Sequence, residues 1–268
     1  MKQGTAGSGR APRSGSLSSM ARQSSGLIEN IKTLVFAGLI AIGTRTVAFE
    51  PFNIPTPSMV PTLLVGDYLF VSKYSYGYSR YSLPFAPDLF RGRIFGSLPA
   101  RGDVAVFKFP RDTSQDYIKR IIGLPGDRIQ VRGGQLFING VEVPRVAVGP
   151  YDDEFRGLRT RAQHYVETLP GGRAHDILKT DSEGFANNTQ EYLVPPDNLF
   201  AMGDNRDNSE DSRFMPPQFP TGVGFVPVDN LVGRAEFLFF SVESRSPWWQ
   251  FWEWPFEIRF SRLLQGIR

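Results

Sequence analysis

No cysteine occurs in the chain, which excludes disulfides, thiolate nucleophiles and thiolate metal sites and leaves the redox compartment open. Histidine is nearly as scarce. His164 and His175 are the two present, both in a polar stretch and neither with a carboxylate or imidazole at ligand spacing, so no zinc site is expected. The same shortage argues against a Ser-His-Asp triad, because both imidazoles lie far in sequence from every motif described below. No charge of either sign dominates: 30 Lys and Arg face 27 Asp and Glu, and a net +3 is no footprint for nucleic acid. A long apolar run is also missing. The candidate membrane segment, Leu27 to Phe49, is uninterrupted only from Leu34 to Gly43, well short of the ~20 residues that span a bilayer comfortably.

What is present suffices for a folded domain. With 41% hydrophobic residues in 268, the chain can bury a substantial core as one large domain or one domain carrying an insertion. Its 22 Phe, 9 Tyr, 21 Pro and 27 Gly favour short strands joined by tight turns, so a mostly β fold is expected. Residues 1–26, rich in Gly, Ser and Arg, read as a disordered basic tail. Lys2, Arg10, Arg13, Arg22 and Lys32, against Glu29 alone, form the kind of flank that stays cytoplasmic beside a membrane segment. For residues 27–49 a retained anchor, with Arg45 snorkelling to the far interface, competes with a buried core helix and a cleaved secretory signal. No small-residue cleavage pattern clearly follows it.

Beyond Pro51 the apolar runs are strand-like: Tyr68 to Val71, Val104 to Phe107, Tyr117 to Leu124, Leu136 to Ile138, Leu199 to Met202 and Ala235 to Val242. Asn139-Gly140 before Val141-Glu142-Val143 predicts a hairpin. Residues 144–193 are more polar, with runs such as Asp152-Asp153-Glu154, and read as a smaller inserted domain between core segments 50–143 and 194–245. Residues 246–268 include all four tryptophans, whose rings suit either the headgroup level of a membrane or packing across the end of a barrel.

Three blocks carry candidate chemistry. Pro55-Thr56-Pro57-Ser58-Met59-Val60-Pro61-Thr62-Leu63 sets a serine among prolines that restrict the backbone, although any Pro/Ser/Thr-rich loop shares that texture. Asp116-Tyr117-Ile118-Lys119-Arg120-Ile121-Ile122, as a strand, puts Lys119 on one face with Tyr117 and Ile121. Desolvation there would lower an ordinary lysine pKa of about 10.4 by up to ~3 and allow the neutral amine to accept a serine proton; a snorkelling surface lysine is the alternative. The run from Gly203 to Arg213 is dense in Asp, Asn, Ser and Arg and is either a solvated turn or a loop that orients the base.

Together with Gly66-Asp67-Tyr68, Arg101-Gly102-Asp103-Val104 and Gly123-Leu124-Pro125-Gly126-Asp127, these blocks stand in an order that resembles the boxes of bacterial type I signal peptidase (leader peptidase), a Ser-Lys dyad serine peptidase family. The likeness covers about Phe49 to Val131 and Leu199 to Arg234. It implies that Ser58 is the nucleophile, Lys119 the general base, and Ser209 a hydrogen-bond partner that holds the lysine amine. It further implies an oxyanion hole from the Ser58 N–H and the Thr56 hydroxyl, and supporting charges at Asp211, Arg213, Asp204 and Arg120. Phe52, Ile54, Met59, Leu63, Tyr117 and Ile118 match positions that line pockets for small side chains one and three residues before the cut. Pro57 departs from the glycine often found before the nucleophile; it removes its own N–H and leaves that of Ser58 in place.

The resemblance implies an antiparallel β-sheet catalytic core with a smaller inserted domain, preceded by an N-terminal transmembrane helix. The enzyme would be monomeric, without metal or cofactor, and single-pass in the cytoplasmic membrane, its N-terminus cytoplasmic and its catalytic domain extracytoplasmic. Its partners would be preproteins bearing signal peptides, cut at Ala-x-Ala sites, and the phospholipid bilayer, but no nucleic acid. Two rivals are a self-cleaving repressor and a non-catalytic membrane scaffold. The first needs a DNA-binding module, for which the basic tail is too short and irregular; intact Ser58, Lys119 and Ser209 speak against the second.

Overall fold

The computed structural model describes residues 29–38, 43, 48–83, 86–155, 158–180, 183–243 and 254–268. The chain divides into two compact units, Met1–Thr44 and Arg45–Arg268. In the first, residues 29–38 are helical and largely exposed. No helix among the described residues is long and apolar enough to cross a membrane. The tail of residues 1–26 and most of the remaining candidate anchor lie outside the described residues, and Phe49, taken as its last position, opens a strand.

The second unit is built from strands β1 (Phe49–Asn53), β2 (Asp67–Ser72), β3 (Val104–Phe109), β4 (Asp112–Gly123), β5 (Arg128–Arg132), β6 (Gln135–Ile138) and β7 (Val141–Glu142). They are followed by β8 (Arg145–Phe155), β9 (Leu158–Thr168), β10 (Ala174–Lys179), β11 (Tyr192–Leu193), β12 (Asn198–Met202), β13 (Val226–Pro227) and β14 (Leu231–Ser241). A seven-stranded sheet runs β1-β2-β14-β3-β4-β12-β13, a four-stranded sheet β11-β5-β6-β7 and a three-stranded sheet β10-β9-β8. Every strand pairing among them is antiparallel, the mostly β fold that the composition predicts.

Strand period explains why the centre of the large sheet is apolar throughout. On β3, Val104 and Val106 enter one core cluster with Leu69, Val71 and Leu238, while Ala105 and Phe107 enter another with Ile121, Leu199 and Leu231. Both faces are thus buried, and no polar alternation is needed. The Asn139-Gly140 turn takes the left-handed backbone at both positions, φ 54° and 78°, as a tight hairpin with a primed turn requires.

Residues 144–180, expected only as a polar insertion, form the long β8–β9 hairpin and β10. Their polarity hid the pairing because much of this ribbon is solvated, so backbone bonds hold it without an apolar stripe. The Trp-rich stretch up to residue 253 lies outside the described residues. Beyond it the chain returns to β14: Ile258 bridges Val242, Gly266 bridges Phe237, and Ile267 packs on the first core cluster. Arg262 closes this return on Asp67 at 2.6 Å.

Candidate active site

Ser58 is held by a single 3-10 turn, Pro57–Met59, entered through extended Thr56. Pro57 suits the first position because that N–H would have no helical partner. Ser58 follows, and its own N–H likewise has no acceptor within so short a turn. The Ser58 carbonyl is fixed from behind by the Asn205 N–H at 3.1 Å, and the Asn205 side-chain amide donates to the Pro57 carbonyl at 3.1 Å. Asn205 belongs to the polar run already singled out, yet as an anchor for the serine turn it had no signal of its own.

Lys119 lies in the buried half of β4, opposite Ala105 of β3, and its amine stands 2.7 Å from Ser58 Oγ. Its side chain is buried, with the Tyr117 ring 5.5 Å away. Burial lowers its pKa from 10.5 to about 8, outweighing the nearby carboxylates of Asp211, Asp204 and Glu210 that favour the ammonium. A buried amine that is readily neutral, in contact with a hydroxyl, is equipped to take a proton from it.

The loop from Gly203 to Arg213 packs against this pair. Asp211 accepts from Arg213 through two 2.8 Å contacts and from the Gly203 N–H at 3.0 Å. Arg120 forms a second buried fork on Asp204, at 2.8 and 2.6 Å, with Thr62 donating to the same carboxylate at 2.6 Å. Burial alone would raise both carboxyls, but the facing guanidinium holds each below the ordinary range. All four charges therefore sit beneath the site as two satisfied pairs.

One expected contact is absent. Ser209 does not hydrogen-bond Lys119: its Oγ is buried without a partner, pressed into the notch left by the missing side chain of Gly203. Thr56 is exposed, and its hydroxyl does not cap the turn, which leaves it available at the groove. The histidines also differ from expectation. His164 lies 2.7 Å from Asp176, and His175 lies 3.5 Å from Glu167 and 4.0 Å from Asp204. Antiparallel pairing of β9 with β10 sets His175 directly opposite Glu167, a proximity that linear spacing cannot reveal.

A groove of about 600 Å³ opens onto Ser58 and Lys119. Phe52, Ile54, Tyr117 and Ile118 line it as expected, with Thr56 at its edge. Met59 and Leu63 do not; both are fully buried in the first core cluster, where they support the apolar wall from behind. Asn53, Val106, Gln115, Asp116, Asn208 and Glu210 also line it without having been foreseen.

An antiparallel β scaffold that sets a hydroxyl and a buried amine in contact beside an open groove has the parts a serine-nucleophile hydrolase needs. A family model described as signal peptidase, peptidase S26, matches residues 27–240. The chain belongs to this family of serine peptidases. It is 38% identical over 260 residues to signal peptidase I of Rickettsia typhi, covering 89% of this chain and 93% of that protein. It is 42% identical over 226 residues to signal peptidase I of Rickettsia canadensis, covering 81% of each. A crystal structure of a signal peptidase I from Enterococcus faecalis V583 is 27% identical, spans 52% of this chain and 97% of its own, and has a TM-score of 0.30.

Proposed function

We propose that this protein is a membrane-bound signal peptidase I that removes N-terminal signal peptides from exported preproteins after small residues, with Ser58 as nucleophile and Lys119 as general base. The observation that carries this reading is the 2.7 Å contact between Ser58 Oγ and a buried Lys119 amine whose pKa is lowered to about 8. Neutral Lys119 takes the Ser58 proton as Oγ attacks the scissile carbonyl. The tetrahedral oxyanion is met by the Ser58 N–H and the Thr56 hydroxyl, donors of a kind that contribute ~3 kcal/mol each in the transition state. Lys119 then returns the proton to the departing amine; in the second half it deprotonates the water that attacks the acyl carbon and passes that proton to Ser58 Oγ as the ester bond breaks, which restores the free serine and the neutral amine. Ser209 rotates toward the lysine to hold it during these transfers. Asp211–Arg213 and Asp204–Arg120 keep the loop in place.

Selection for Ala-x-Ala sites is supported by the walls of the groove. Phe52, Ile54, Tyr117 and Ile118 line the groove beside Ser58, an apolar setting suited to small uncharged side chains. The proposed arrangement is a basic cytoplasmic tail at 1–26, an anchor within 27–48, a core at 49–143 and 194–245 with the insertion at 144–193, and an interfacial segment within 246–257 before the chain returns to β14. The catalytic core then works on the outer face of the cytoplasmic membrane as a monomer, every proposed catalytic group coming from one chain. An outward aromatic row on β1, β2 and β14, in which Phe49, Phe70 and Phe237 meet at 5.4 to 6.5 Å, fits contact with the bilayer.

The test uses detergent-solubilised full-length protein and a preprotein with an Ala-x-Ala site, with the new N-terminus read by mass spectrometry. Wild type cuts after the second alanine, and Ser58→Ala and Lys119→Ala do not. Equal cleavage by either variant would sink the dyad.

A further inference from the structure

Three carboxylates bear on the Lys119 amine: Asp211, Asp204 and Glu210. Asp211 is engaged by Arg213 and Asp204 by Arg120, both pairs fully buried. Glu210 differs in every respect. It is exposed, it lines the groove, and no ion pair or hydrogen bond engages its carboxylate among the described residues. Asp116, the other acid of the groove, is held by Lys108 at 2.8 Å. The groove therefore presents one uncompensated negative charge, adjacent in sequence to Ser209 and close enough to Lys119 to act on it.

Such a charge is unfavourable for a neutral base in the empty enzyme, since it draws a proton back to the amine. It is offset only when a cation sits beside it. We propose that Glu210 selects substrates by charge, favouring peptides that carry Lys or Arg within two residues of the scissile bond and disfavouring Asp or Glu there. This inference rests on the peptidase reading above. A cationic side chain seated against Glu210 gains attraction and masks the carboxylate from Lys119, so both binding and turnover benefit. An acidic side chain adds a second negative charge to the groove and loses on both counts. The pairs Asp211–Arg213 and Asp204–Arg120 stay fixed across such a comparison, so differences between substrates report on Glu210.

The full-length protein in detergent micelles is assayed on peptides that share one Ala-x-Ala site. Lys, Gln or Glu is placed singly at the x position or at the first or second residue after the cut. An exposed charge pair and its repulsive counterpart together predict that kcat/KM for the best Lys peptide exceeds that for its Glu counterpart by about three- to tenfold in low salt. Raising the ionic strength to about 1 M, where charges are screened beyond ~3 Å, compresses the ratio toward one. Glu210→Gln removes the preference and Glu210→Lys reverses it. No Lys-over-Glu preference in wild type, or the same preference in both variants, overturns the inference while leaving the peptidase reading intact. No cleavage of any peptide by wild type overturns that reading, and the inference with it.

Discussion

Ser209 rests on Gly203 and makes no hydrogen bond to Lys119: a Cβ built on Gly203 would overlap Ser209 Oγ and stand 2.5 Å from the Ser58 carbonyl oxygen. Gly203 is thus the contact point at which the loop carrying Ser209 rests on the turn carrying Ser58. Its φ is unremarkable, so the requirement is for space and not for backbone freedom. Gly203→Ala drives a Cβ into the Ser209 side chain, whose Oγ can turn aside, and against the Ser58 carbonyl, which cannot yield without moving the serine turn. The expected outcome is a stability loss of about 1–3 kcal/mol by overpacking, measured by chemical denaturation. Displacement of the serine turn should also lower kcat/KM, on the order of a hundredfold for a shift near 1 Å.

The unpartnered Ser209 hydroxyl separates a structural from a mechanistic role. Deleting a buried hydroxyl that makes no hydrogen bond is close to neutral or slightly stabilising. Ser209→Ala is therefore expected to melt no earlier than wild type. If Oγ swings to Lys119 when substrate is bound, kcat falls at least tenfold all the same, since catalytic hydrogen bonds often form only in the occupied site. Unchanged kcat would mean that the hydroxyl stays in the Gly203 notch throughout turnover.

The lowered pKa of Lys119 fixes the direction of the pH profile. With a value near 8, the neutral amine is the minor form at pH 6 and the major form above 8. kcat/KM measured on an uncharged peptide should climb about tenfold per unit between pH 6 and 7 and level off above about 8. Lys119→Arg keeps the positive charge but cannot deliver a neutral base, so it should be inactive across that range. A flat wild-type profile from pH 6 to 9 would argue against a lysine base.

Strand positions were legible because burial leaves a mark on composition. β3 and β12 are apolar on consecutive residues, and the Asn139-Gly140 turn is written in two residues that tolerate positive φ. Ser58 and Lys119 were legible as motif members, although nothing in the spacing of residues 58 and 119 foretells a 2.7 Å contact. The β8–β9 hairpin escaped because polar residues leave no period to read on a solvated ribbon. Met59 and Leu63 were misplaced in the pocket because sequence shows that a side chain is apolar, not whether it faces the groove or the core behind it. His175 and Asn205 escaped for a third reason: their partners come from segments far away in the chain, and only the folded register brings them together.

His175 is buried between the Arg206–Glu167 and Arg120–Asp204 pairs, with neither ring nitrogen hydrogen-bonded. Burial, aided by the Arg120 charge, lowers its pKa from 6.5 to about 4. The sign of the consequence follows from proton counting. Between pH 6.5 and 4 the unfolded chain binds a proton at this imidazole that the folded chain does not, so stability falls as the solution is acidified. The loss attributable to this one group accumulates to about 3 kcal/mol by pH 4 and grows no further below it. His175→Gln removes the titration while keeping a side chain of similar size and polarity. Urea denaturation at pH 7, 5.5 and 4 is expected to show wild type losing stability more steeply than the variant, by about 3 kcal/mol over the range. Parallel losses in the two proteins would assign the acid sensitivity to Asp204 and Glu167, whose arginine partners hold their pKa values low and whose contribution is likewise lost on acidification.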